Sequence, residues 1–139
     1  MMRAVCIARH RFLSEHIGAI FSEIGVESRV VVGFDDGMSA TREEQPLLVV
    51  CEYDLLASAP LAEWERDPLL SGIPIIAVSL SRRPQEVHLM DRNGIAGFLY
   101  LPSVTEASLA RLVQAASERR VQPPPDAYRW PPATIPVAE

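Results

Sequence analysis

The feature that most constrains this chain is an unbroken apolar run at residues 47–52, which reads Leu-Leu-Val-Val-Cys-Glu. Four consecutive aliphatic residues without polar alternation are typical of a strand covered on both faces, as in a parallel sheet flanked by helices. We interpret this run as the central strand. Because ligands bind such sheets at the carboxyl ends of the strands, Cys51, Glu52 and Asp54 become candidate site residues.

Strand-like and helix-like segments alternate along the rest of the chain. Apolar runs predict four more strands, at residues 3–8, 27–32, 73–78 and 97–100. Helical periodicity and helix boundary residues predict five helices, at residues 13–24, 38–44, 60–66, 84–93 and 103–116. Strict alternation of this kind predicts an α/β fold with a parallel sheet, right-handed crossovers and helices on both faces.

Three residues in or beside the predicted helices have specific predicted roles. Trp64 is expected to pack on the sheet from the third helix. Ser103 and Glu106 have the spacing of a capping box, in which two side chains satisfy the first backbone donors of a helix. We therefore expect them to begin the last helix.

Length, charge and composition restrict the class of protein. A chain of 139 residues with 48% hydrophobic residues is typical of one globular domain. A net charge of -5, with no lysine, gives no electrostatic basis for sequence-independent binding to nucleic acid. The first apolar run is too short for a signal peptide or a membrane span, so a cytoplasmic location is expected. No glycine-rich phosphate loop follows the first strand, which disfavours dinucleotide binding.

Side chains that often bind metals or act as nucleophiles form no recognisable motif. Cys6 and Cys51 lie inside apolar runs, where a reduced cysteine behaves as a small hydrophobic residue. His10, His16 and His88 lack the spacing of a metal site and are interpreted as surface residues. We expect neither a metal nor another cofactor.

The composition changes at Gln122, which divides the chain into a domain at residues 1–121 and a tail at residues 122–139. The tail holds six of the twelve prolines, so it is predicted to run as polyproline-like coil without a helix or a central strand. Tyr128 and Trp130 are large apolar residues that a solvated linker would not need. Either they dock on this chain or a second copy, which we favour, or they form a free ligand for a partner.

Two segments in the second half resemble the receiver domains of bacterial two-component response regulators. Residues 73–79 (Ile-Pro-Ile-Ile-Ala-Val-Ser) look like the fourth strand of that family, and residues 94–102 look like its fifth strand, which ends in Pro102. The resemblance extends over about residues 3–120. It implies a flavodoxin-like fold with a five-stranded parallel sheet in the order 2-1-3-4-5.

The positions that carry phosphorylation in that family are changed here. Acidic residues that would hold Mg²⁺ after the first strand are replaced by Ala8 and Arg9. The phosphoacceptor position maps to Cys51, or to Glu52 if the register slips by one residue. Leu101 stands where the family has a lysine. The resemblance therefore implies a degenerate receiver, or pseudo-receiver.

Three residues of this pocket have roles that the sequence leaves open or implies only by resemblance. Arg9 either forms an ion pair with Glu52 or Asp54, in place of a metal ion, or points into solvent. Ser79 and Phe98 match the switch pair of the family. Without a phosphoryl group, Ser79 is expected to cap the following turn.

The resemblance also implies an interaction face, because receivers commonly dimerise through the fourth helix, fifth strand and fifth helix. In this chain that region offers tyrosine and arginine, which are frequent interface anchors. The predicted face consists of Tyr100, Arg111, Glu118 and Arg119.

Together these observations predict a non-enzymatic, phosphorylation-independent interaction module in bacterial signal transduction. Its expected partner is a protein of the signalling pathway or a second copy in a homodimer, and neither nucleic acid nor a membrane. Two alternatives remain open. The first is a receiver-like sensor that responds through Cys51 by oxidation or by binding a small ligand, and the second is an enzyme of unknown type.

Overall fold

The structure is a computed structural model that describes residues 2–58, 61–81, 95–119 and 137–138. Its elements are β1 (Met2–Ala8), α1 (Arg11–Ser22), β2 (Val26–Val32), α2 (Phe34–Glu44), β3 (Leu48–Glu52), α3 (Tyr53–Ser58), α4 (Leu61–Arg66), β4 (Ile75–Ser79), β5 (Ile95–Tyr100), α5 (Glu106–Arg119) and β6 (Val137–Ala138). Within these ranges, no helix has the length and apolar character needed to cross a membrane.

All strands pair in parallel in one sheet, in the order β2-β1-β3-β4-β5-β6. The first five strands have the predicted order 2-1-3-4-5, so the predicted flavodoxin-like fold class is confirmed. The predicted central strand, β3, lies between β1 and β4, and each of its residues is buried. Burial on both faces is the reason that this strand has no polar alternation.

The sheet divides the core into two clusters, because successive side chains of a strand point to opposite faces. One cluster packs under α1 and α5 and includes Cys6 and Val50. The other packs under α2, α3 and α4 and includes Cys51 and Trp64, which donates a hydrogen bond from Nε1 to the Leu70 carbonyl oxygen at 3.1 Å. Trp64 therefore packs beneath the helices as predicted, with its polar atom satisfied.

The helices differ from the predictions in two places, and one predicted helix is not tested. Helix α2 begins at Phe34, four residues before its predicted start, and follows Gly33, whose φ of 91° suits glycine. Helix α3 was not predicted, because its six residues lack boundary residues such as Pro60 and Pro68, which indicated the equally short α4. The helix predicted at residues 84–93 lies outside the described residues.

The capping box of α5 was assigned to the wrong pair of residues. Ser103 lies in a 3₁₀ turn, and the box is formed by Thr105 and Ser108. The Ser108 N–H donates to Thr105 Oγ1 at 3.1 Å, and the Thr105 N–H donates to Ser108 Oγ at 3.0 Å. A serine hydroxyl thus replaces the expected carboxylate of Glu106, one reason that the pattern pointed two residues too early.

Strand β6 was also not predicted. Val137–Ala138 pair with Phe98 and Leu99 at the free edge of β5. The tail was expected to be coil throughout, and at these two residues that prediction is wrong.

Candidate functional site

The candidate site lies where β1, β3, β4 and β5 end. Parallel strands bring their carboxyl ends to the same edge of the sheet, so residues distant in sequence become neighbours there. This edge collects every residue of the predicted pocket, namely Ala8, Arg9, Cys51, Glu52, Asp54, Ser79, Leu101 and Pro102.

Arg9 and Glu52 form the central contact of this edge. The backbone N–H of Arg9 donates to Glu52 Oε1 at 2.9 Å. Its guanidinium donates to Glu52 Oε2 from Nε at 3.0 Å and from Nη2 at 2.7 Å. Of the two alternatives for Arg9, the structure has the ion pair rather than a side chain pointing into solvent. The carboxylate accepts three hydrogen bonds from a single residue.

Asp54 is a second, weaker partner of the guanidinium. Arg9 Nη2 lies 3.4 Å from Asp54 Oδ2, and both side chains are more than one-third exposed. Exposed ion pairs contribute little, so we assign the main interaction to Glu52.

The contacts of Arg9 determine the charge of Glu52. Burial raises the pKa of this carboxyl, but the hydrogen bonds and positive charge of Arg9 together outweigh burial, and the net pKa lies below its ordinary value. The same hydrogen bond raises the pKa of the Arg9 guanidinium. Glu52 is therefore ionised at neutral pH although only 7% of the residue is exposed.

The geometry distinguishes the two residues that could align with the phosphoacceptor position. Glu52 faces Arg9, which follows β1, whereas Cys51 pairs with Ile7 and Ala77 inside the sheet. Cys51 is 1% exposed and belongs to the core cluster under α2, α3 and α4. Glu52 rather than Cys51 therefore stands in the pocket.

Both thiols are shielded from solvent and point to opposite faces of the sheet. Burial raises the pKa of Cys51, with a further contribution from Glu52, and burial raises the pKa of Cys6 to about 12. Cys6 pairs with Val50, and its side chain points to the face covered by α1 and α5. The side chain of Cys51 points to the other face. Both are free cysteines. At neutral pH the reactive thiolate form is disfavoured at each position.

The side chains at the ends of β4 and β5 are mostly buried. Ser79 and Phe98 lie on the same side of the sheet, and the Phe98 ring meets the edge of the Tyr53 ring at a centroid distance of 6.1 Å. Leu101, at the position of the family's lysine, is buried under α1 and α5. The pocket wall therefore carries an apolar group where a cation would be expected.

No group of three or more histidine, cysteine, aspartate or glutamate side chains that could hold a metal ion occurs among the described residues. Ala8 is fully buried and has no ligand atom, and the Glu52 carboxylate is engaged by Arg9. The described part of the pocket therefore does not fit the Mg²⁺ that an active receiver would hold. His10 and His16 are exposed, while His88 lies outside the described residues.

Two exposed apolar residues at the same edge were not predicted from the sequence. Phe12, at the start of α1, is 83% exposed, and Leu80, directly after β4, is 50% exposed. The sequence does indicate that Phe12 is exposed, because this residue falls outside the apolar stripe of α1 that begins at Leu13. Large apolar side chains exposed beside a pocket are typical of contact surfaces.

The structure separates the residues of the predicted interaction face. Tyr100 is half-buried against the core cluster under α2, α3 and α4. Arg111 and Glu118 are exposed on α5, which packs on the opposite side of the sheet, and Arg119 is the last residue of that helix. Strand β6 lies along the β5 edge, so this face does not present a bare strand.

The fold is similar to solved structures of signalling proteins. A sensor protein from Polaromonas sp. JS666 is 14% identical with a TM-score of 0.72, and the match covers 86% of this chain and 98% of that chain. A response regulator receiver domain protein from Clostridium thermocellum is 15% identical with a TM-score of 0.68, covering 86% and 97%. A putative response regulator from Chloroflexus aurantiacus is 14% identical with a TM-score of 0.69, covering 85% and 98%.

No protein-family profile and no curated protein matches the chain. At identities of this size, the likeness concerns the fold, and the fold agrees with the resemblance carried by residues 73–79 and 94–102. The chain therefore has the fold of a response-regulator receiver domain, with Arg9 paired to Glu52 at the edge where the receiver pocket lies.

Proposed function

We propose that this chain is a pseudo-receiver, a non-enzymatic domain that binds a protein partner in signal transduction without being phosphorylated. The observation that supports this most directly is the set of three hydrogen bonds from Arg9 to Glu52. Arg9 thereby supplies the positive charge that an exchangeable Mg²⁺ ion supplies in an active receiver.

The argument rests on charge. In an active receiver the pocket carries excess negative charge, and a divalent ion is needed to bring in a phosphoryl group. In this pocket the guanidinium of Arg9 is always protonated and already neutralises Glu52. A phosphoryl group on either oxygen of Glu52 would disturb hydrogen bonds that this oxygen accepts from Arg9, and Leu101 offers no positive charge in return. The pocket is therefore expected to keep one state whether or not a phosphodonor is present.

Interaction is proposed because the same edge exposes apolar surface. Phe12 and Leu80 follow β1 and β4, so they lie at the same edge of the sheet as the Arg9–Glu52 pair, which joins β1 to β3. A partner that covers this edge would remove apolar surface from water and would also meet the half-exposed guanidinium of Arg9. We place the partner contact at this edge.

The redox alternative is weaker because its reactive group is inaccessible. Oxidation or ligand binding at Cys51 requires an accessible thiolate, whereas this thiol is 1% exposed and burial raises its pKa. Among the described residues, no observation favours an enzymatic function over a binding one.

Phosphorylation independence can be tested with the full chain. Isothermal titration with Mg²⁺ should give no saturable heat, and intact mass after incubation with acetyl phosphate should be unchanged. The variant Arg9→Asp restores a carboxylate at the metal position and serves as the comparison. A stable adduct of one phosphate on Glu52 or Asp54 of the unchanged chain would refute the proposal.

The contact edge is tested by capture of partners with the immobilised chain. Phe12→Ser and Leu80→Ser should each reduce capture at least threefold, because each removes exposed apolar surface from the contact. Glu65→Ser, on the exposed side of α4, is the matched control. If both apolar variants capture as much as the control, the contact lies elsewhere on the domain.

A further inference from the structure

The edge of β5 is occupied by a segment of the chain from far along the sequence. Val137 pairs with Phe98 and Ala138 pairs with Leu99, in parallel. Ala138 is 2% exposed and lies in the core cluster with Leu99 and Leu112 under α5. A sheet edge that would otherwise present unpaired backbone groups is thereby covered.

The connection to this strand is longer than connections between a helix and a strand usually are. Residues 120–136, seventeen in number, join the end of α5 to β6. Connections between a helix and the next strand usually need about 2–6 residues. Seventeen residues can span up to about 55–60 Å when extended, which exceeds the diameter of a small domain of about 30 Å. The connection is therefore long enough to bring β6 to the β5 edge of another molecule.

We propose that the β5 edge is a strand-addition site that also takes Val137–Ala138 from a second copy of this chain, which gives a strand-exchanged homodimer. The proposal rests on the interaction role proposed above and names a second copy as one partner. Both arrangements make the same contacts, so protein concentration decides between them. Reciprocal exchange closes the assembly at two copies because each molecule gives one strand and accepts one.

A second copy is favoured over an unrelated peptide because the site is matched to this segment. Ala138 is almost completely buried beside Leu99 and Leu112, so a small side chain fits at this position. A larger or charged side chain would have to displace core residues or lose its hydration. The sequence Val137–Ala138 satisfies this requirement, and every copy of the chain carries it.

The exchange is tested by sedimentation equilibrium of the full chain over a wide concentration range. Ala138→Glu places a charge in the buried position, and Val137→Pro removes a backbone donor without adding charge. We expect a monomer–dimer equilibrium whose dissociation constant rises at least tenfold in both variants. Ala19→Glu makes the same chemical change on the exposed side of α1 and should leave the equilibrium unchanged.

A labelled peptide of residues 133–139 shows whether the strand can be supplied by another molecule. It should bind Ala138→Glu more tightly than the unchanged chain, whose own strand competes, and the peptide carrying Ala138→Glu should not bind. If Ala138→Glu fails to fold, the comparison is made with Val137→Pro.

Three outcomes would overturn the proposal. The first is a monomer at every concentration. The second is a dimer whose dissociation constant in both strand variants equals that of the unchanged chain. The third is a dimer that is lost in the double variant Tyr100→Ala with Arg111→Glu but kept in Ala138→Glu. None of them affects the phosphodonor, Mg²⁺ or capture experiments, so failure of strand exchange and failure of the proposed function remain distinguishable.

Discussion

The guanidinium of Arg9 and the carboxylate of Glu52 join the ends of two neighbouring strands at 2.7 Å. Arg9 follows β1 and Glu52 ends β3, and the two strands are adjacent in the sheet. The carboxylate is 9% exposed whereas the arginine side chain is 49% exposed, so the negative charge is the more costly one to leave unpaired. This contact therefore has consequences for stability as well as for function.

Replacing Arg9 by methionine should lower the melting temperature, because Glu52 would keep its charge in a buried position with no cationic partner and only the backbone N–H of residue 9 as donor. Arg11→Met is the matched control, since Arg11 forms an exposed pair with Glu15 at 3.8 Å. Thermal denaturation at neutral pH measures both. The fall should be several-fold larger for Arg9→Met, and Glu52→Gln in that background should recover part of it. Equal effects at the two positions would show that the buried pair contributes nothing special.

Glu52 should also make stability depend on pH in a defined direction. Burial raises its pKa but the contacts with Arg9 outweigh burial, so the folded-state pKa lies below the unfolded value of about 4.3. The folded state then binds fewer protons, and the stabilisation is complete above the unfolded pKa and is lost as the pH falls through the folded pKa. We expect the difference in melting temperature between the unchanged chain and Glu52→Gln to be largest near about pH 6–7 and to shrink below about pH 4. With Glu15→Gln, whose carboxylate is exposed, the difference should vary little.

Neither cysteine should react in the folded protein. Burial raises the pKa of Cys51, and that of Cys6 reaches about 12. Incubation with a thiol reagent at about pH 7.5 should give no adduct within the time in which denatured protein gains two. The variant Cys6→Ala assigns any label that appears. Rapid labelling of Cys51 in native protein would favour the redox sensor over the pseudo-receiver.

Much of the fold could be predicted from the sequence because burial on both faces leaves an unmistakable pattern. All five long strands were located to within two residues, and their order followed from the resemblance at residues 73–79 and 94–102. Helix α3 was missed since its six residues lack the boundary prolines that indicated the equally short α4, and strand β6 was missed since two residues are too short to show a period. What fixes β6 is pairing with β5, which is a tertiary contact without a local signal.

The sequence predicted which residues form the site but not how their side chains contact one another. Cys51, Glu52 and Asp54 were placed at the correct edge by the rule for parallel sheets. Whether Arg9 would pair or point into solvent depends on its backbone direction after β1, which the sequence does not determine. The backbone hydrogen bond from Arg9 to Glu52 was likewise not predicted, because it depends on the same backbone direction.

The close approach of α2 to β1 depends on a glycine. A Cβ at Gly37 would lie 2.5 Å from Ile7 Cδ1 and 3.0 Å from two other Ile7 side-chain carbons. Gly37→Ala should therefore destabilise the fold by about 1–3 kcal/mol through overpacking. Urea denaturation measures the change, with Gly72→Ala as control because nothing lies within 4 Å of its Cβ. Adding Ile7→Val, which removes Cδ1, should recover part of the loss, and no recovery would mean that the clash is not the cause.

The last prediction concerns Tyr128 and Trp130 of the tail, which lie outside the described residues. Beside the last turns of α5, a cavity of about 450 Å³ is lined mainly by apolar groups, among them Met2, Ile24 and Val113. It lies next to the helix from which the tail departs, and it is large enough for an indole ring. We predict that Trp130 docks on this chain or on a second copy. Burying one such ring contributes about 2–3 kcal/mol, so Trp130→Ala, which leaves β6 in place, should lower the melting temperature by roughly 5–10 °C.

Fluorescence distinguishes docking from a free tail. Trp64 is buried and would dominate the spectrum, so the measurement is made on Trp64→Phe, in which Trp130 is the one remaining tryptophan. A docked Trp130 emits at shorter wavelength than in the denatured chain and is poorly quenched by iodide, because apolar surroundings exclude water and ions. Val113→Ser, at the cavity wall, should move the emission toward that of the denatured chain, whereas Ala19→Ser on the exposed side of α1 should not. Solvent-like emission of Trp130 in the intact chain, together with an unchanged melting curve for Trp130→Ala, would show that this part of the tail is free to bind a separate partner.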